Sequence, residues 1–136
     1  MNTLLWLAQG LLAAGFLAAG TVRLFGSKIW LLQRGQTEVM HYETPLIHFI
    51  GGIEVFGALL LIVPWWAGFA AFLTPLAAAG FGALMLATAS AHARIARESR
   101  GDALRRYAEL RDMGTNMLVL ALCTVIFVGR GLMHFR

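Results

Sequence analysis

Four long apolar runs dominate this chain, each near the length of about 20 residues that a helix needs to cross a bilayer core of roughly 30 Å. They fall at about residues 4–24, 45–66, 69–91 and 115–132. A soluble domain of 136 residues cannot bury a composition that is 59% hydrophobic and 13% charged. Too large a share of so small a chain lies at its surface. The expected fold class is all-α, an integral membrane four-helix transmembrane bundle forming a single domain over residues 1–136.

The first run has no lysine or arginine before it and exceeds the usual h-region length, so it reads as a retained helix and not a signal peptide. Between the first two runs, Ile29-Trp30-Leu31-Leu32 is apolar but far too short to span. A turn of interfacial helix anchored by Trp30 is expected there. Pro45 suits a helix start, and Pro64-Trp65-Trp66 marks the exit of the second span at an aromatic belt. The link to the third span, about Trp66 to Gly68, makes these two helices antiparallel neighbours. Pro75 is expected to kink the third span by removing a backbone donor. A helical extension past Ala91 and a polar link should precede the last span, which could start as early as Leu110.

The net charge of +4 does not point to nucleic acid, because the basic residues sit between apolar runs and no nucleic-acid-binding motif accompanies them. Their distribution bears instead on orientation. The two long loops carry nine lysines and arginines, against Arg130 and Arg136 on the side of the termini. By the positive-inside rule, the long loops are expected in the cytoplasm and both termini outside, in a cell inner (plasma) membrane.

In lipid, helices associate through close packing of small residues. Gly20, Gly51-Gly52 and Gly57-Ala58 offer such contacts, and Ala79, Ala83, Ala87 and Ala91 form a four-residue stripe expected to be a packing seam or a subunit interface. The single cysteine, Cys123, excludes an internal disulfide, a CxxC pair and a thiolate metal cage, and reads as a buried inert thiol.

Glu54 carries the most functional information. A carboxylate at mid-membrane depth costs at least about 2.5 kcal/mol, and such groups normally face the protein interior and mark function. Its helical neighbours Gly51, Gly57 and Ala58 place it on the crowded seam. Arg23, ending the first span, either snorkels to headgroups or turns inward as its partner. His48, His92 and Asn116 are expected at the same end from three helices, where with Arg23 and Glu54 they could line one ligand-binding pocket; each alone also reads as an interfacial polar residue. A bis-histidine haem on His48 and His92 rests on too little, and no metal-ligand pairing such as ExxH or HxxxH appears. His41 and His134 read as solvent-exposed.

The stretches GLLAAGFLAAGTVRLFG, FIGGIEVFGALLLIVP, LTPLAAAGFGALMLATASAH and the closing GRG resemble the DoxX-like family of small four-helix bacterial membrane proteins. The most specific match is the glycine–glutamate pattern of Gly51, Glu54 and Gly57, with Arg23 as the basic residue ending the first span. The resemblance implies a membrane module, since some relatives are subunits of thiosulfate:quinone oxidoreductase and others belong to membrane complexes that handle oxidative stress. On this reading the chain binds an apolar ligand, a quinone or lipid, or a partner redox subunit, and is at most a membrane subunit of a quinone-linked oxidoreductase. Quinone is the one cofactor it suggests. Two alternatives stand beside it. A small multidrug-type proton-coupled transporter also has four helices and a membrane glutamate, but in the first helix, and its dual-topology members need balanced loop charge. A structural assembly subunit or homo-oligomer needs no ligand at all.

Overall fold

The structure is a computed structural model that describes residues 2–36, 39–40 and 42–134. Among the described residues five α-helices follow one another: α1 (Asn2–Phe25), α2 (Lys28–Gln33), α3 (Thr44–Ala67), α4 (Leu73–Glu98) and α5 (Ala103–His134). All but α2 are long and apolar enough to cross a membrane, and no strand occurs among the described residues. The protein is therefore an all-α, multi-pass membrane bundle. Helix α1 packs chiefly on α3 and α4 on α5, while α3 meets α4 and α1 meets α5 to close the ring.

Backbone chemistry sets the boundaries. Gly68, in the left-handed region at φ 67°, ends α3. Helix α4 then starts at Leu73, later than expected, and this places Pro75 in its first turn. The proline ring would clash with the carbonyl four residues back in a longer helix, but in the first turn it costs no hydrogen bond. So Pro75 lies at the helix start, where it removes no helical hydrogen bond. Helix α5 starts far earlier than residue 115 because Asp102 Oδ1 accepts from the Arg105 amide at 3.0 Å, and no proline interrupts the helix after it. At 32 residues it is about 48 Å long, more than the bilayer core requires. Its charged first third pairs with the end of α4 on the long-loop side.

Helix α2 is the short helix expected between the first two spans. Ser27 caps it by accepting from the Trp30 amide, and the Arg34 guanidinium lies 4.1 Å over the Trp30 ring. Leu31 of α2, Val39 and Ile47 of α3 bury together. Lys28 Nζ donates to the Tyr42 carbonyl at 2.7 Å, which ties the segment before α3 to the start of α2.

Helices α1 and α3 approach each other closely enough for their backbones to meet. A Cβ on Gly20 would lie 2.8 Å from the Gly51 carbonyl, and one on Gly51 would lie 2.7 Å from the Gly20 carbonyl and the Leu24 amide. Backbone touches backbone at this crossing, the arrangement small residues permit in lipid. Deeper in the bundle, Phe16 and Phe81 stack with centroids 3.7 Å apart, beside buried Leu61, Ala78, Cys123 and Ile126.

The alanine stripe is not the packing seam of α4. Ala79, Ala83 and Ala87 are exposed, whereas Ala78, Phe81, Gly82, Met85, Ala89 and His92 are buried. A strict four-residue repeat overshoots a turn of 3.6 residues by about 40° each time, so it drifts off any one face.

The end nearer the termini is tied by polar contacts. Pro64, inside α3, withholds the amide that would bond the Leu60 carbonyl, and Thr74 Oγ1 donates to that carbonyl at 3.2 Å. Gln9 Nε2 donates to the Leu61 carbonyl at 2.6 Å, and Gln9 Oε1 accepts from Arg130 Nε at 2.6 Å. The fully buried Arg130 guanidinium lies 4.4 Å over Trp65 and 5.0 Å over Trp6. Helices α1, α3 and α5 are thus joined at one end through Gln9, which bridges the Leu61 carbonyl and Arg130, while Thr74 of α4 takes the Leu60 carbonyl that Pro64 leaves open.

Candidate functional site

At the opposite end the helices part around a cavity of about 310 Å³. Four of the five sequence-derived site residues, Arg23 of α1, Glu54 of α3, His92 of α4 and Asn116 of α5, line it. The fifth, His48, is half-buried and stands outside the lining. It precedes Glu54 by six residues, which turns it about 120° away around α3, while Ile47 takes the inward position. The drifting alanine stripe reaches the cavity wall at Ala87 and Ala91.

Glu54 is 1% exposed and takes a charge-assisted hydrogen bond from Arg23 Nη1, whose side chain is 20% exposed. The pair straddles the Gly20–Gly51 crossing. Only because the two helices touch there can the arginine at the end of α1 reach a carboxylate one turn deeper on α3. An ion pair in this setting compensates most of the desolvation each charge would suffer alone. It leaves a polar but nearly neutral wall facing the cavity.

Around that wall the surroundings divide. Ile47, Ile50, Leu84 and Met85 supply apolar surface. Gln36, Tyr42, Asp112 and Asn116 supply hydrogen-bonding groups toward the long-loop side. Gln36 Oε1 is buried and has no hydrogen-bond partner among the described residues. The arrangement suits a molecule with a small polar head and an apolar body. Among the described residues there is no group of three or more acidic, histidine or cysteine side chains that could hold a metal ion.

His92 has a second role. Its Nδ1 lies 2.7 Å from Glu109 Oε2, with both side chains buried, and this pair pins α4 to α5 at the mouth of the cavity. Glu109 was invisible to sequence reasoning because it sits in a stretch rich in both charge signs, where every residue reads as solvated. Arg130 and Gln9 were missed for a related reason. Each lies near the end of a span, where polar side chains collect at the interface. Of the remaining histidines, His41 lies outside the described residues, as does the side chain of His134. Cys123 is buried and makes no disulfide.

A sequence model of the DoxX-like family matches residues 7–126, reaching into all four spanning helices and taking in every residue that lines the cavity. No curated protein and no solved structure matches the chain.

Proposed function

This chain belongs to the DoxX-like family, and from that premise and the geometry above we propose that it is a membrane module binding an apolar molecule, a quinone or a lipid, by its polar head in the Glu54 cavity. The observation that carries this reading is a cavity of about 310 Å³, apolar on one side, built around a buried and charge-compensated Arg23–Glu54 pair. A bundle that needed only to hold together would fill such a space with side chains, since packing is what joins helices in lipid. Asn116 offers both a donor and an acceptor to the head, and Gln36 Oε1 offers a second acceptor. His92, engaged by Glu109, orients the wall and is not assigned a ligand contact. The basic excess of the long loops supports an orientation with this end of the bundle in the cytoplasm. A redox partner subunit, if the molecule held is a quinone, would then approach from that side.

Asn116→Leu separates binding from stability. Half-exposed at the cavity wall, Asn116 can be replaced by leucine at similar volume without touching the Arg23–Glu54 pair. The expected result, with a short-chain benzoquinone titrated into protein in nanodiscs, is a Kd raised about five- to tenfold, the worth of one hydrogen bond of about 1 kcal/mol. Unfolding stability is expected to stay within about 0.5 kcal/mol of the parent. Equal binding by parent and variant, or by neither, counts against the site.

A further inference from the structure

We infer that the Glu54 site is loaded sideways from the bilayer, through a groove between α1 and α5, and that its occupant is a single-tailed amphipath with an uncharged head. This inference rests on the binding reading above and deepens it. A second cavity of about 290 Å³ adjoins the first and shares Arg23, Glu54, Met85 and Asn116 with it. Its outer rim is formed by Leu11 and Gly15 of α1 and Val119 of α5. Leu11 is 69% exposed and Gly15 is exposed, so the rim lies on the face that meets acyl chains. The named contacts that join α1 to α5, Gln9 with Arg130 and Leu5 against Gly129, are at the other end of the bundle. The two helices are therefore closed near the termini and open beside the ion pair.

The chemistry of the passage selects its occupant. The groove is apolar at its rim and suits a hydrocarbon tail. At its inner end Arg23 and Glu54 already compensate one another, and Asp112 on the cavity wall is bonded to Arg111, so a head with its own net charge would be buried at a cost of several kcal/mol against charges that are already paired. A neutral head with carbonyl or hydroxyl groups meets the Asn116 amide instead. About 310 Å³ is at the low end for ligand pockets, enough for one small head while the tail lies in the groove.

Gly15 supplies the test. A Cβ there meets nothing within 4 Å, so a large side chain can be added without disturbing the packing and will project into the rim of the groove. Gly80 on α4 is equally open and exposed, lies away from both cavities, and serves as control. Protein in phosphatidylcholine nanodiscs is labelled with two ring-diazirine benzoquinones, one bearing a decyl tail and one with none. Labelling is followed in the peptide that carries Asn116. The expected result is a tailed-probe rate lowered about tenfold or more by Gly15→Trp, with the tail-less probe unchanged because it reaches the cavity from the long-loop side. Gly80→Trp should alter neither. Labelling of the parent by both probes, with the tailed rate unchanged in Gly15→Trp, overturns the lateral passage and leaves the site standing. Labelling of the parent by neither probe overturns the site and this passage together.

Discussion

Gly51→Ala is expected to destabilise the bundle by about 3 kcal/mol or more, although it adds a single methyl group. The new Cβ would sit 2.7 Å from the Gly20 carbonyl and the Leu24 amide, and 3.1 Å from the Arg23 carbonyl carbon. None of these is the end of a flexible side chain. Relief requires α1 and α3 to move apart, and over-packing that shifts backbone lies at or beyond the top of the usual range of about 1–3 kcal/mol. The separation also draws Arg23 from Glu54, so the loss is greater than steric. Gly52→Ala is the matched control, because a Cβ there meets nothing within 4 Å. It should be neutral, or slightly stabilising through the better helix propensity of alanine. Equilibrium unfolding in mixed micelles separates the two outcomes. A Gly51→Ala protein as stable as Gly52→Ala would mean that the helices do not meet at this crossing.

Removing the arginine should do more harm than removing the acid. In Arg23→Met the carboxylate of Glu54, at 1% exposure, keeps its burial and loses the partner that compensates its charge. The expected cost is about 3–5 kcal/mol, the usual penalty for leaving one member of a buried pair alone. In Glu54→Gln the survivor is Arg23, which is 20% exposed at the end of α1 and can extend toward headgroups. That variant should lose about 1–2 kcal/mol, near the worth of a charge-assisted hydrogen bond. The double variant Arg23→Met/Glu54→Gln should recover most of what Arg23→Met loses, giving a coupling energy of about 3 kcal/mol between sites that share one contact. Additive losses in the double-mutant cycle would show that the two side chains do not act as a pair.

The sequence was legible where a single residue was out of keeping with its surroundings. A carboxylate among glycines in an apolar run is expensive to bury, so Glu54 announced an inward orientation by its cost alone. Leu31 and Trp30 revealed α2 because the apolar insert was too short for anything but an interface. His48 could have been set aside in advance, since helical register turns it away from Glu54 and puts Ile47 and Gly51 on the inner face. The alanine stripe misled for the complementary reason. Its period of four looks regular in the sequence but winds around the helix, and only its last members, Ala87 and Ala91, come to the cavity. What could not be read were contacts requiring knowledge of which helices are neighbours. The pairing of Gln9 with Arg130 spans 121 residues, and that of His92 with Glu109 depends on α5 starting at Ala103. The start of α5 itself was obscured by charge, because a helix that emerges from the membrane loses the apolar signature that marked the rest of it.

These contacts describe a bundle tied at one end by Arg130, Gln9 and the Pro64 segment, with a cavity at the other beside an ion pair. On the proposed reading, that division would leave the cavity able to admit a guest. Its purpose is tested most directly by native mass spectrometry of the protein released from its own membrane in detergent-free lipid particles. The expected spectrum shows one small neutral amphipath retained per chain, and lost from the Asn116→Leu protein under the same collision energy. A bare chain, or a graded ladder of bulk phospholipids indifferent to that substitution, would contradict the claim that the Glu54 cavity is a binding site.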